Sequence, residues 1–334
     1  MPKRRSFSRS PGGKTGARKF GPSGERPPGT PSGGSIRGTE GMGAMEPSMI
    51  IQACVSGILM GGVYSLIAVG LTLIFGIMKI INFAHGAFMM LGMYASYWVF
   101  IYFRIDPYLS IFISFAILFI LGVLTQIFLI EPVIDTPEHN PLLVTLGLWI
   151  FLENLALMIW SPDFRTVKVS YSAKSFVLQD IIFSFPRILA FLFAFVLAFL
   201  LYLFLKKTDI GKAIRAISEE KIGARLMGIN VKKINYITLG IGAACAGVAG
   251  SIITPFFHVE PYIGEHFVIT AFVVVVLGGM GNFIGSLVGG IILGLCEALA
   301  AVLLPGSFKM LVIYLIFMIV LLFRPAGLFG RRAG

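Results

Sequence analysis

Residues 49–75 read MIIQACVSGILMGGVYSLIAVGLTLIF, an apolar run of 27 residues without a charged side chain. The hydrocarbon core of a bilayer is about 30 Å thick, and an α-helix needs about 20 apolar residues to cross it. The run is therefore long enough to span a membrane, with length to spare for a tilt or for a bend at Gly61-Gly62. It predicts an α-helical membrane protein.

Apolar runs of similar character continue to the end of the chain. We expect eight to ten spans and an all-α, polytopic bundle. The run 267–280 is short and ends in Gly278-Gly279-Met280-Gly281, which is typical of a broken or half-membrane helix. The candidate spans are 49–75, 83–103, 109–130, 142–160, 188–205, 234–255, 267–280, 284–304 and 310–323.

The composition excludes a conventional cytosolic enzyme. Hydrophobic residues make up 57% of the 334 residues, and the mean hydropathy is +0.89. Only 13% of the residues are charged, compared with about 25% in an ordinary soluble domain. The same composition excludes disorder for most of the chain.

The net charge of +11 comes from two segments. Residues 1–48 carry nine Lys/Arg and three Glu, and residues 206–234 carry eight Lys/Arg and three acids. We therefore divide the chain into a disordered basic tail at 1–46, a transmembrane domain at 47–324 that contains the basic loop 206–234, and a short cytoplasmic tail at 325–334. A nucleic-acid-binding arm is the less favoured interpretation of the charged tail, and we expect no nucleic-acid partner.

The bias of Lys and Arg toward cytoplasmic loops orients the spans. It places 206–234 and the carboxy terminus inside, and 104–108, 162–187 and 258–266 outside. The tail at 1–46 would then lie outside despite its bases. Either one segment before residue 206 is re-entrant, or the tail is absent from the mature protein because translation starts at Met42, Met45 or Met49. We favour the second explanation.

Polar groups inside apolar spans are candidates for a transport path, because burying them in a bilayer is costly. Glu153 and Glu297 either line such a path or form interhelical hydrogen bonds. His85 either lines a cavity or hydrogen-bonds the adjoining segment. The path and gate candidates are Asn82, His85, Gly86, Glu153, Gly278, Gly279, Gly281, Asn282 and Glu297.

Glycine spacing predicts close approach of helix backbones. The glycines at such spacings are Gly57/Gly61, Gly240/Gly242, Gly247/Gly250 and Gly285/Gly289-Gly290/Gly294. The pattern Gly76…Asn82…Gly86 also resembles 278–285, which is weak evidence for an internal repeat of the kind that transporters use.

Nothing in the sequence indicates enzyme chemistry, a metal site or a cofactor. Cys54, Cys245 and Cys296 lie far apart in apolar runs and behave as small apolar residues. The residues His258, Glu260, Glu265 and His266 are close enough in sequence to hold a metal, but we favour solvated loop residues. The chain has no GxxxxGK[ST] motif, so an ATPase that drives transport would be a separate chain.

The loop 206–234 combines small residues at helical spacing with a charged opposite side. Ala213, Ala216, Ala224 and Gly228 form the small-residue face, and Thr208 or Asp209 can cap a helix. This pattern favours a short surface helix that docks into a groove of a partner. The alternative is a basic loop that only fixes the topology.

Three segments resemble the inner-membrane permeases of branched-chain amino acid ABC importers. Residues 62–94, GVYSLIAVGLTLIFGIMKIINFAHGAFMMLGMY, resemble the first two spans of that family, and 211–230 resembles its cytoplasmic coupling segment. Residues 272–290, with LGGMGN at 277–282, resemble its carboxy-terminal signature. The resemblance covers residues 47–330. Ala87 after His85-Gly86 favours the amino-acid branch over a urea-type branch, which tends to have an acid there.

The resemblance implies a multi-pass permease subunit in the bacterial inner membrane that works by alternating access. It implies a second homologous permease, two cytoplasmic ABC ATPases and an external solute-binding protein that carries most of the selectivity. The cargo would be a branched-chain or related aliphatic amino acid. The coupling residues that it indicates are Gly211, Ala213, Arg215, Ala216, Glu219, Ala224, Gly228, Ile229 and Asn230.

Other functions stay open on the sequence alone. They are an ABC permease for urea or short amides, and a stand-alone ion-coupled secondary transporter. A membrane enzyme acting on a lipid-like substrate is disfavoured because catalytic residues are not clustered.

Overall fold

The computed structural model describes residues 47–178, 181–304, 308–324 and 326–330. The predicted tail at 1–46 lies outside these residues. The described chain is an α-helical bundle with one β-hairpin. Its elements are α1 (Pro47–Met78), α2 (His85–Phe103), α3 (Ile111–Thr125) with a π-helical turn (Gln126–Ile130), α4 (His139–Trp160), β1 (Ser175–Leu178), β2 (Ile181–Ser184), α5 (Phe185–Lys207), α6 (Asp209–Glu219), α7 (Lys221–Leu226), α8 (Val231–Ile253), α9 (Ile263–Gly278), α10 (Phe283–Leu303) and α11 (Lys309–Phe323).

The predicted all-α polytopic fold is confirmed. Each of the nine predicted spans corresponds to a helix, and seven helices in the described residues are long and apolar enough to cross a membrane. The helices α9 and α11 are shorter. Because α9 has 16 residues, it extends over about 24 Å, which agrees with the short span predicted at 267–280.

Helix α8 lies at the centre of the bundle, and α4 lies at its periphery. Of the most apolar 18-residue window of each helix, 89% is buried in α8 and 17% in α4. Helix α8 is rich in Gly and Ala between Gly240 and Gly250, so neighbouring backbones can approach it closely. At Gly247, for example, an added Cβ would collide with the side chain of Leu118 on α3.

Helices α1 and α10 meet along a seam of glycines, as the spacing predicted. A Cβ built on Gly57 would lie 2.7 Å from the carbonyl oxygen of Gly294, and one built on Gly61 would lie 2.7 Å from the Cα of Ile291. Any side chain at these positions would therefore push the two helices apart.

A β-hairpin occupies part of the predicted outer loop 162–187, where no regular structure was expected. Strands β1 and β2 pair antiparallel. Gln52 of α1 holds the hairpin, because its amide nitrogen donates to the carbonyl of Ile182 (2.8 Å) and its amide oxygen accepts from the N–H of Ile182 (2.7 Å). The hairpin thereby marks the predicted outer end of α1.

Two tyrosines link the predicted outer loops. Tyr108 donates to the carbonyl oxygen of Pro186 (2.8 Å), and Tyr171 donates to the carboxylate of Asp106 (2.7 Å). Burial, reinforced by the charge of Asp106, raises the pKa of both phenols. Both groups therefore stay protonated and keep donating at any physiological pH.

Candidate functional site

Two cavities lie at opposite ends of α1. Helix α1 packs against α5 and also against α10, and residues of these three helices line both cavities. The outer cavity, of about 430 Å³, lies beside Gln52 and Arg187. The inner cavity, of about 540 Å³, lies beside Gly76 and Arg215.

The outer cavity combines charged and apolar walls. Glu297 of α10 lines it and accepts a hydrogen bond from the phenol of Tyr64 on α1 (2.7 Å). Arg187 of α5 and His266 of α9 line the same cavity. Glu297 thus forms an interhelical hydrogen bond, as one of its two interpretations from the sequence expected, and also lines a cavity; its place on a transport path stays a prediction.

Sequence reasoning missed Tyr64, Arg187 and His266 as members of a site with Glu297. One signal was present for Arg187, which is a base at the first turn of the apolar run that forms α5. The other two give no comparable signal, because their neighbours in the cavity lie on helices that are distant in sequence.

The inner cavity brings together path candidates and coupling candidates. Gly281 and Asn282, between α9 and α10, line it with Arg215 and Glu219 of α6. Lys206, at the end of α5, also contributes to its wall. The two groups of residues, which the sequence treats separately, therefore meet at the predicted cytoplasmic end of the bundle.

Packed side chains separate the two cavities. The Ser65 hydroxyl of α1 donates to the carbonyl oxygen of Leu287 on α10 (2.7 Å). About two helical turns further along α1, the hydroxyls of Thr72 and Ser286 share a hydrogen bond. On the α5 side, the ring of Phe191 fills the space that a side chain at Gly62 would need. These packed residues lie between the outer and the inner cavity in this conformation.

The turn between α9 and α10 is built from glycines and anchors the carboxy-terminal segment. Gly279 and Gly281 have φ of +98° and +85°, a region that L side chains rarely adopt. Gly278 packs on the backbone of Gly285. The Asn282 side chain accepts from the N–H of Gly285 (2.9 Å) and donates to the carbonyl oxygen of Phe329 (2.8 Å).

Residues 326–330, predicted only as part of a cytoplasmic tail, therefore pack against the bundle. The N–H of Leu328 donates to the carbonyl oxygen of Leu277 (2.8 Å). Phe329 and Gly330 also line the inner cavity. This part of the carboxy terminus belongs to the wall of the candidate site.

The candidates Asn82, His85 and Gly86 are not among the residues that line the two cavities. Asn82 accepts from the N–H of Ala84 (3.1 Å), and the His85 Nε2 lies 3.0 Å from the carbonyl oxygen of Ile67. Because a carbonyl only accepts, this nitrogen of His85 carries the proton. Gly86 packs against the carbonyl of Gly264. These contacts fix the α1–α2 connection.

Glu153 lies on the peripheral helix α4 and is partly exposed. It is likewise not among the residues that line the two cavities. In the predicted outer loop, His258 pairs with Glu260 (3.1 Å). Within the described ranges, no group of three or more His, Cys, Asp or Glu side chains is placed to hold a metal ion.

The loop 206–234 forms two short helices rather than the single helix expected from its sequence. Each start is capped by a side chain: Thr208 accepts from the N–H of Gly211 (3.0 Å), and Glu220 accepts from the N–H of Ile222 (3.0 Å). Asn230 caps α8 in the same way by accepting from the N–H of Lys233 (3.1 Å). The predicted capping role of Thr208 is observed.

The small residues of this loop do not form one exposed face. Gly211 packs on the carbonyls at the end of α5, and Ala224 is buried. Ala213 and Ile229 are half-buried, whereas Arg215, Ala216, Glu219 and Gly228 are exposed. The expectation of a continuous small-residue face is wrong, because α6 and α7 use part of it to pack on their own bundle.

The exposed apolar residues of α7 and its end were missed by sequence reasoning. Ile222, Leu226 and Met227 are 70%, 82% and 83% exposed. They alternate with Lys221 and Arg225 in the sequence KIGARLM, and that mixture was the available signal. We call these three residues the α7 apolar patch. Large apolar side chains grouped at a solvent-facing end of a membrane protein are typical of a protein–protein contact.

The fold and the paired cavities define a polytopic membrane permease. The chain belongs to the family described as branched-chain amino acid transport system / permease component, whose family model matches residues 53–321. It is therefore a multi-pass membrane transport subunit of an ABC system and not an enzyme.

Curated relatives are similar over most of their length. The high-affinity branched-chain amino acid transport system permease protein BraD of Pseudomonas aeruginosa is 32% identical over 295 residues, which cover 84% of this chain and 96% of BraD. LivH of Escherichia coli is 32% identical over 302 residues, with the same coverages. A probable LivH of Methanocaldococcus jannaschii is 33% identical over 278 residues, covering 79% of this chain and 88% of the relative. The chain matches no solved structure.

Proposed function

We propose that this chain forms one wall of the path by which an ATP-driven importer moves branched-chain amino acids across the cytoplasmic membrane. The observation that carries the proposal is that residues of α1, α5 and α10 line both the outer and the inner cavity. The names of BraD and LivH, which are permeases of branched-chain amino acid transport systems, supply the cargo class.

A second, homologous permease completes the path. Arg187 and Glu297, which line the outer cavity, are only partly buried, whereas residues 61–74 in the middle of α1 are buried. A membrane-spanning path cannot expose its polar wall to lipid. A second subunit with a similar face would cover Arg187, Glu297 and the inner cavity, and would leave a closed route between the two chains.

Two ABC ATPases bind the predicted cytoplasmic end. The α7 apolar patch supplies side chains that can enter a groove of an ATPase, and the surrounding Lys221 and Arg225 supply a charged rim. Interfaces generally concentrate their binding energy in a few desolvated side chains of this kind. An external solute-binding protein delivers the cargo at the hairpin end.

Helix α5 transmits the movement of the ATPases. Gly211 of α6 packs on the carbonyls of Phe204 and Leu205, and Thr208 links the two helices as a cap. Movement of α6 therefore moves the end of α5. Arg187 lies 20 positions before Lys207, the last residue of α5, which is about 30 Å along the helix. Residues of α5 line both cavities. A tilt of α5 against α10 would open one cavity while closing the other, which is alternating access.

The test is reconstitution of the chain with its second permease, the ATPases and the binding protein in liposomes. We expect leucine uptake that requires both ATP and the binding protein. Uptake by this chain alone, driven by an ion gradient without ATP, would overturn the proposal in favour of a secondary transporter. Uptake of urea or acetamide in place of leucine would overturn the cargo assignment.

A further inference from the structure

We infer that the outer cavity binds the amino acid as a zwitterion, with Arg187 facing its carboxylate and Glu297 facing its ammonium group. The inference rests on the proposed function and deepens it, because it assigns cargo recognition to this chain as well as to the binding protein. Three features of the cavity carry it: a guanidinium group, a carboxylate and apolar side chains in the same wall.

Arg187 is the cationic group in the cavity wall that suits a carboxylate. Arg187 is the third residue of α5, a helix of 23 residues, and the first turn of a helix carries a partial positive charge. A guanidinium group binds a carboxylate through two parallel hydrogen bonds. Among the described residues, no carboxylate forms an ion pair with Arg187. Its charge is therefore not neutralised by a direct partner in this part of the chain.

The carboxylate of Glu297 is held by a hydrogen bond. Glu297 lies 14 positions after the start of α10 at Phe283, about 21 Å along the helix and about 9 Å before its end at Leu303. The Tyr64 phenol donates to its Oε2 at 2.7 Å. A carboxylate has about four acceptor positions, so this hydrogen bond orients the group and leaves it able to accept from an ammonium group.

The apolar wall suits an aliphatic side chain. Met49, Met60, Phe257 and Val302 line the cavity with the charged groups. The volume of about 430 Å³ lies within the range of about 300–1,000 Å³ that is typical of small-molecule sites. Methionine adapts its shape easily, so one wall can accept leucine, isoleucine or valine.

The charges also exclude other cargo. Urea and short amides carry neither a carboxylate nor an ammonium group, so they cannot form the charge-assisted hydrogen bonds with Arg187 and Glu297 that a zwitterion can form. The outer cavity therefore discriminates between amino acids and neutral amides by the charges of its own wall.

The experiment measures binding of radiolabelled leucine to the complete permease–ATPase complex in nanodiscs, without the binding protein. The competitors are leucinol, which lacks the carboxylate, and 4-methylpentanoate, which lacks the amine. For the unmodified complex we expect leucine to compete at least roughly tenfold better than either analogue, since each analogue loses one charge-assisted contact. If leucinol or 4-methylpentanoate competes as well as leucine for the unmodified complex, the inference is wrong, and no variant is needed to show it.

Two variants assign the ends of the zwitterion. Glu297→Gln should lose the preference for leucine over 4-methylpentanoate and keep the preference over leucinol, and Arg187→Gln should show the reverse pattern. Matched controls are Glu138→Gln and Arg104→Gln, which remove the same charges from exposed loop positions and should change neither preference. A purely structural role for Glu297 would weaken all three ligands equally, and that result contradicts the inference. If a Gln variant does not assemble, Glu297→Asp and Arg187→Lys are compared in the same assay.

The proposed function is measured in the same preparation. If the unmodified complex imports leucine with ATP and binding protein but does not discriminate among the three ligands, the zwitterion site is wrong and the proposed function stands. If the complex imports no amino acid, the proposed function itself is wrong.

Discussion

Tyr64 and Glu297 lie 233 positions apart in sequence and are joined by a hydrogen bond of 2.7 Å from the phenol to the carboxylate. The bond links α1 to α10 at the wall of the outer cavity, which Gly57 and Gly294 of the glycine seam also line. It therefore couples the packing of the bundle to the geometry of the candidate site.

Removing this hydrogen bond should affect both stability and transport. Tyr64→Phe keeps the ring and deletes the donor to a charged acceptor, so we expect the free energy of unfolding to fall by about 2 kcal/mol. ATP-driven uptake should fall several-fold because Glu297 is no longer oriented. The measurements are denaturant unfolding and leucine uptake at equal protein amounts. Tyr314→Phe, at an exposed position of α11, should change neither, and equal effects of both variants would contradict the assignment.

The α7 apolar patch should matter for coupling and not for insertion. Met227→Ser removes the most exposed of its three side chains, and we expect at least a tenfold loss of ATP-driven uptake with unchanged membrane levels, because such contacts dominate interfaces. The control is Met158→Ser, since Met158 of α4 is similarly exposed (80% against 83%). Copurification of the ATPases measures docking directly. Full copurification with the Met227 variant would show that the docking surface lies elsewhere.

Gly228 has room for a side chain, but its backbone conformation disfavours one. An added Cβ would meet nothing within 4 Å, yet its φ is +83°. Gly228→Ala should cost about 1–2 kcal/mol and reduce uptake, whereas Gly228→Asn should be milder because Asn adopts this region more readily. Gly147 also has open space around it but lies within α4, so Gly147→Ala serves as the control in thermal unfolding and uptake. Equal loss in Gly147→Ala would argue against the backbone explanation.

Asn282 should hold the carboxy-terminal segment through its amide nitrogen. Asn282→Asp keeps the oxygen that caps α10 but replaces the donor to the carbonyl of Phe329 by a second acceptor. We expect residues 326–330 to exchange amide hydrogen about 5- to 150-fold faster, since a lost hydrogen bond of about 1–3 kcal/mol corresponds to such a factor. The start of α10 should exchange as before. Asn282→Ala, which removes both contacts, should release both segments, and unchanged exchange in the Asp variant would contradict this role.

The spans were predictable because the length of an apolar run is a local property that the bilayer thickness converts directly into a helix. Close approach at the glycines of α1 and α10 was predictable for a similar reason, since small residues at fixed spacing favour helix packing, but which helices meet there was not. Docking of residues 326–330 and the hairpin held by Gln52 were not predicted, because both depend on hydrogen bonds to backbone groups of segments that are remote in sequence.

The candidate site was predicted only in part. Five of the candidates named from the sequence line the two cavities, although they were not predicted to be neighbours. They are Arg215, Glu219, Gly281, Asn282 and Glu297. Asn82 and His85 stood out because they are polar residues between apolar runs, but their hydrogen bonds are to nearby backbone. Polarity within a span shows that a group needs a partner and leaves open whether that partner is the protein or the cargo.

The glycine seam has a consequence for how variation in this protein should be read. At Gly57, Gly61, Gly290 and Gly294 even alanine would separate two helices, while Gly147 on the lipid-facing helix has room for a methyl group. A substitution-tolerance map of the glycines would therefore trace the line along which α1 touches α10. Naturally occurring exchanges at these four positions would be harmful even when chemically conservative.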